Sequence, residues 1–283
     1  INNIGIFWEG ELVGGVDTYL YNLINADVFN EIDVVIFTNK NNLGAKKLSK
    51  NLRNKKVSFV YFTSLNSFTV KNIFFKILIS LLKPLLFLIS IFQIYLILRN
   101  YKFKVFMGQC GGYGDFRSEM ASMFVAKFLR FPVRTLVIHH ACGKPIFWNT
   151  LLNLINNLIS KIVTSVISVS KATRDSVFYK SNLLDRSSDL KDLIIYNGIP
   201  VNQKINYTSK INNIIYKDSE DIFLLGMLSR IESYKGHMDL IRGFSKLPKN
   251  VQKKLKIYII GDGNDEEVEK LKKLIFSKNL QNY

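Results

Sequence analysis

Nine short apolar runs, each closed by small, polar or imidazole residues, constrain what this chain can fold into. They are Ile4–Trp8, Glu31–Thr38, Val57–Phe62, Lys104–Met107, Thr135–Ile138, Val163–Val169, Leu193–Tyr196, Ile222–Met227 and Leu255–Ile260. Runs this short, rich in β-branched and aromatic residues, read as buried strands rather than helices. Helical spacing fills several intervals: from Val16, with Tyr19, Leu20 and Leu23 on one face, and over Arg117–Leu129, His237–Leu247 and Glu266–Phe276. Strand, helix and strand in alternation predict an α/β fold with a parallel sheet covered on both faces. Ligands of such sheets sit beyond the carboxyl ends of the strands. The loops holding Gly14-Gly15, Gly108–Gly114, His139-His140, Ser170 and Asn197-Gly198 would then line one crevice.

A chain of 283 residues accommodates about two domains. The spacing places the first over residues 1–200, an Asn-, Lys-, Ser- and Thr-rich passage over 201–219, and a second α/β domain over 220–283. One strand–helix–strand–helix unit is too small to cover both faces of a sheet, so the second domain is expected to be partial and these 283 residues alone are expected not to turn over a donor. No secretory signal pattern precedes the first strand, which sets the expectation of a cytoplasmic-side protein, clipped at its start.

Hydrophobic residues at 48% and charged residues at 22% exclude wholesale disorder. The net charge of +17 and pI near 9.7 point to an anionic partner: nucleic acid, a membrane surface or a phosphorylated ligand. No nucleic-acid module or aromatic-basic repeat is present, so specific nucleic-acid binding is not expected. Two cysteines, Cys110 and Cys142, provide neither a disulfide framework nor a structural zinc site, and read as loop filler.

Phe74–Leu98 is the most apolar stretch and is long enough to span a bilayer. Lys76, Lys83 and Gln93 lie within it, and Pro84 is expected to divide it into two helices. Those helices would pack on the sheet or lie at a membrane interface, with Lys71, Lys76 and Lys83 reaching headgroups. A buried core element and a true span are the alternatives. A span would put parts of one sheet on opposite sides of the membrane.

Arg230 and Lys235 lie in Gly226-Met-Leu-Ser-Arg-Ile-Glu-Ser-Tyr-Lys-Gly-His237, between a strand end and a helix start. Two cations beside a helix N-terminus make a natural diphosphate site. Gly14 and Gly15 precede another helix, where missing side chains let an anion or sugar approach the backbone. Gly261 and Gly263 fall short of a dinucleotide fingerprint because Glu266 occupies its last position. His139 and His140, at a strand end, are two of three histidines and could bond a sugar hydroxyl or move a proton.

Leu225–Arg230, Lys235-Gly-His237 and Ile257–Gly263 resemble the donor-binding domain of the group 1, glycogen-synthase-like glycosyltransferases. Gly14-Gly15-Val16, Val166–Ala172 and Ile195–Pro200 extend the resemblance upstream in the same order. It implies a GT-B fold, two Rossmann-like domains facing a crevice, and sugar transfer from a nucleotide-sugar donor with retention of configuration. The resemblance implies that Arg230 and Lys235 hold the donor diphosphate, that Gly261 and Gly263 lie under the nucleotide, and that His139 or His140 acts in the active site. No D-x-D triplet occurs, so neither a metal nor a cofactor is expected, the sugar nucleotide being a substrate. A lipid-linked or glycan acceptor in cell-surface polysaccharide synthesis, at the inner face of the cytoplasmic membrane, would use the basic and apolar surfaces together. A sugar-nucleotide epimerase would instead need carboxylates such as Glu9, Asp115 or Glu119, and an inactive anion-binding remnant is the third reading.

Overall fold

The computed structural model describes residues 3–10, 13–52, 56–64, 73–143, 148–181, 183–184, 190–199 and 222–283, the side chains of 73–76 excepted. The chain forms two compact units, divided between Asn202 and Gln203. The passage read as a linker lies outside the described residues.

The first unit is built on seven parallel strands in the order β3-β2-β1-β4-β5-β6-β7. They are β1 (Asn3–Trp8), β2 (Asp33–Asn39), β3 (Val57–Phe62), β4 (Val105–Cys110), β5 (Val133–Ile138), β6 (Ser165–Ser168) and β7 (Lys191–Ile194). The helices are α1 (Gly15–Ile24), α2 (Leu43–Asn51), α3 (Ile73–Leu98), α4 (Ser118–Phe128), α5 (Asn149–Ile162) and α6 (Lys171–Ser181). Strand alternation sorts the core into two layers. Ile4, Ile6 and Trp8 of β1 pack with Leu20 and Leu48 of α1 and α2. Phe7, between them, points to the other face, where Phe87, Met120 and Ile159 from α3, α4 and α5 close the core. Strand order reverses between β1 and β4, which makes the loops after those strands the place where a ligand can enter between diverging helices.

Three expectations need correction. Pro84 does not divide the apolar stretch; α3 runs unbroken through it. Proline at this position leaves the carbonyl of Ser80, one turn earlier, without its helical donor. The indole N–H of Trp148 donates to that carbonyl at 3.1 Å, which compensates for the missing bond. Lys83 does not reach outward but pairs with Asp115. Cys110 is not in a loop: Gly108, Gln109 and Cys110 continue β4, paired with Leu136, Val137 and Ile138, and the Cys110 thiol is fully buried.

The second unit has two parallel strands, β8 (Phe223–Leu228) and β9 (Leu255–Ile260), with α7 (His237–Ser245), the one-turn α8 (Lys249–Gln252) and α9 (Asp265–Ser277). Ile241, Phe244, Leu271 and Leu280 form its small core on one side of the strand pair. Phe223, Leu228 and Ile260 remain exposed.

Candidate functional site

In the first unit the carboxyl ends of β1, β4 and β5 gather buried polar groups at the switch point. Gln109 is completely buried near the end of β4, and its Oε1 lies 2.8 Å from His139 Nε2. An amide oxygen only accepts, so Nε2 carries the imidazole proton and donates, leaving Nδ1 as an acceptor. The His139 ring also meets Tyr19 of α1 edge-on, with ring centroids 4.8 Å apart. Burial lowers the His139 pKa from 6.5 to about 4, so the ring is neutral at physiological pH. His140, the next residue, is exposed.

The loops after β4 and β5 hold each other in place. Gly143 N–H donates to Tyr113 O at 2.8 Å, and Tyr113 O–H donates to Asn156 Oδ1 at 2.8 Å. Asn156 in turn donates to Ser181 O at 2.9 Å, tying both loops to α5 and α6. Gly114 has φ +106°, and a Cβ there would stand 2.2 Å from Gly143 O. The loop carrying His139 and His140 is thus fixed by a buried hydrogen-bond chain.

Glu119 stands at the start of α4 and is buried. Burial raises its pKa, opposed by the nearby Arg117 charge and by the backbone N–H groups of Glu9 and Glu119. Asp115 is occupied by Lys83 and by Phe116 N–H. These two carboxylates therefore have separate partners rather than each other. Gly14 N–H donates to Asp17 Oδ1 at 2.5 Å, so this amide is already used within the α1 cap. A Cβ at Gly14 or Gly15 would meet nothing within 4 Å, so internal packing does not require glycine at either position.

In the second unit Arg230 and Lys235 flank the Tyr234 side chain. Arg230 NH2 donates to Tyr234 Oη at 3.4 Å, and Lys235 Nζ stands 4.9 Å from the ring centroid. Arg230 also pairs with Glu232 at 2.9 Å. Glu232 raises the Tyr234 pKa, chiefly by hydrogen bonding. Gly236 (φ +84°) turns the chain into α7, and His237, the first residue of that helix, is buried with Nε2 3.2 Å from Ser229 Oγ. Two exposed cations, a helix N-terminus and a buried histidine thus meet on one short loop.

Gly261 and Gly263 have a structural reason to be glycine. A Cβ at Gly261 would lie 1.9 Å from Ser229 O, and one at Gly263 would lie 2.4 Å from Ile231 O. Ser229 N–H donates to Ile260 O, and Ile231 N–H donates to Asp262 O. The two glycines let the loop after β9 lie against the Arg230 loop and set its path. Among the described residues, no three His, Cys, Asp or Glu side chains come together as a metal site.

Sequence reasoning missed Gln109, Glu232 and Tyr234. Glu232 and Tyr234 stand inside the quoted Arg230–Lys235 motif, but Gln109 had no signal beyond its glycine-rich surroundings.

The two units define a GT-B fold. The crystal structure of a glycosyltransferase from Rickettsia africae superposes with TM-score 0.68 at 17% identity, covering 99% of this chain and 66% of that one. A mutant of S. aureus TarM, crystallised with fondaparinux, alpha-GlcNAc-glycerol and UDP, superposes with TM-score 0.57 at 13% identity, covering 99% and 76%. Residues 210–283 match the family described as glycosyl transferases group 1, so the second unit carries the pattern that its motifs resemble. An uncharacterized glycosyltransferase of Methanocaldococcus jannaschii is 31% identical over 121 residues, which cover 42% of this chain and 28% of that protein.

One titration checks the His139 environment. In labelled protein the His139 imidazole should stay neutral at pH 6 and titrate near pH 4 by NMR. Its folded pKa lies below its unfolded value, so the associated stability is present above about pH 6.5 and is lost as the pH falls toward 4. A midpoint near 6.5 would contradict the burial of this ring.

Proposed function

We propose that this chain is part of a retaining glycosyltransferase that moves a sugar from a nucleotide-sugar donor to an acceptor hydroxyl without a resident metal. The observation that carries the reading is the Arg230–Lys235 loop at the start of α7, within the segment that matches the group 1 family. Departure of a nucleoside diphosphate builds negative charge on its phosphates. Fixed cations at that point stabilise the transition state more than the ground state, doing the work for which other transferases use a metal ion. Arginine offers a planar fork to two oxygens, while lysine provides a compact charge. The UDP present in the TarM crystal supports a donor of the same class.

Glu232 pairs with Arg230, and a diphosphate would compete with it for the guanidinium. The neutral His139, its proton directed to Gln109, offers Nδ1 to a sugar or acceptor hydroxyl. His140, exposed beside it, supplies a second imidazole. The acceptor in this reading is lipid-linked, presented at the inner face of the cytoplasmic membrane during cell-surface polysaccharide synthesis. The basic net charge supports that setting.

The test is nucleoside diphosphate release from a panel of sugar nucleotides. Release should require an added acceptor. Conversion of the sugar nucleotide into its epimer without acceptor would favour the epimerase reading instead.

A further inference from the structure

A helix that is apolar all the way round is normally buried on every side. Here α3 is not. Phe87, Ser90, Ile94 and Leu98 face the core, while Leu81, Leu85, Leu88, Phe92 and Leu96 form a stripe along the opposite side, each more than two-fifths exposed. Beside the stripe a groove of about 590 Å³ runs between α3 and α4, lined almost entirely by apolar side chains, among them Tyr95, Phe124 and Phe128. Phe128 is 73% exposed, with its ring edge-on to Tyr95 at 5.6 Å. A continuous apolar surface of this kind marks an interaction site.

The charges around it say what it meets. From residue 34 to residue 114 the sequence has thirteen Lys or Arg and not one Asp or Glu. Between Asp33 and Asp175 the only acids are Asp115 and Glu119. The first is paired with Lys83 and the second is buried. Arg99, one turn after Tyr95, and Lys127 and Arg130, on either side of Phe128, are exposed. None of these three has an ion-pair partner among the described residues. The apolar stripe thus ends in a cationic rim with no neighbouring free carboxylate.

We propose that α3 and the α3–α4 groove form a docking surface for a bilayer with anionic headgroups. The helix lies in the membrane plane, its outer stripe and groove receive lipid chains, and Arg99, Lys127 and Arg130 meet the phosphates. A second copy of this chain is a poor occupant, because it would oppose one cationic rim with another. A transmembrane path is opposed by the contacts that hold α3 to the sheet. Besides Lys83–Asp115, Gln93 donates to Thr63 O at 2.7 Å, and Phe87 packs against Phe116 and Phe124. The proposal does not depend on sugar transfer.

Co-sedimentation with phosphatidylcholine vesicles, with and without phosphatidylglycerol, tests it. Binding should require the anionic lipid and be reversed by high salt. The Leu88→Asp/Phe92→Asp double variant should lose binding while retaining its circular dichroism, since both side chains are exposed. A second variant, Arg99→Gln/Lys127→Gln/Arg130→Gln, should weaken binding by on the order of a hundredfold, about fivefold per cation. Absence of binding to anionic vesicles at low salt, or unchanged binding by both variants, would overturn the proposal. Retention through salt and carbonate until detergent is added would show a spanning helix, and a dimer broken by Leu88→Asp/Phe92→Asp without vesicle binding would show self-association. Either result overturns it as well.

Discussion

In the full-length enzyme, Arg230→Ala and Lys235→Ala should each lower turnover of a nucleotide-sugar donor by on the order of a hundredfold, the scale for removing one donor to a developing oxyanion. The loss should fall mainly on kcat, because the charge that these groups meet grows as the sugar–phosphate bond breaks. Arg230→Lys should not restore the rate, since lysine cannot reproduce a two-oxygen contact. Both side chains are exposed, so neither substitution should disturb folding. Steady-state kinetics beside thermal melts separates the two effects. Near-normal kcat in both variants would remove the diphosphate role from this loop.

Gly261→Ala should unfold the second unit locally. Its Cβ would sit 1.9 Å from a backbone oxygen, and a backbone atom cannot turn away as the end of a flexible side chain can. Overpacking of this kind costs about 3 kcal/mol or more. The small core around Ile241, Phe244 and Leu271 has little to set against that cost. By hydrogen exchange, the amides of β8 and β9 should lose protection while those of β1 to β7 retain theirs. Unchanged protection in β8 and β9 would show that the two loops can separate without cost, and that the glycine serves the ligand alone.

The alternation of apolar runs with polar loops made the parallel sheet legible, because buried parallel strands have to be apolar along most of their length. Val57–Phe62 and Leu255–Ile260 were legible to the residue, since Lys56 and Thr63 bound the first and Lys254 and Gly261 the second. Lys104–Met107 was read too short. Gly108 and Gln109 look like loop residues, yet β5 pairs with both, and a Cβ at Gly108 would crowd Met123 and Leu136. The break expected at Pro84 failed for a reason no local pattern carries: the compensating donor, Trp148, is 64 residues further along the chain. Helix α5 was overlooked although its apolar spacing is regular, because four asparagines interrupt it to the eye. One of them, Asn156, is buried and bonded to Tyr113.

The candidate site was legible to a similar degree. The positions of Arg230 and Lys235 followed from a motif confined to one strand–helix turn, where sequence neighbours are also neighbours in space. The His139–Gln109 pair joins residues 30 apart, one near the end of β4 and the other just after β5, so it emerged only with the sheet register. Gly261 and Gly263 were read toward a ligand, whereas their close neighbours are the backbone of Ser229 and Ile231. That contact positions the Arg230 loop.

Following a labelled sugar from donor to product tests the central claim most directly. The full-length enzyme is incubated with a sugar nucleotide, labelled at the anomeric carbon, and an acceptor bearing free hydroxyls. Sugar transfer predicts label in a new glycoside with the donor's anomeric configuration and one nucleoside diphosphate released per glycoside formed. Label that stays on the nucleotide, as the original sugar or its epimer, while the acceptor remains unmodified across the donor panel would contradict it.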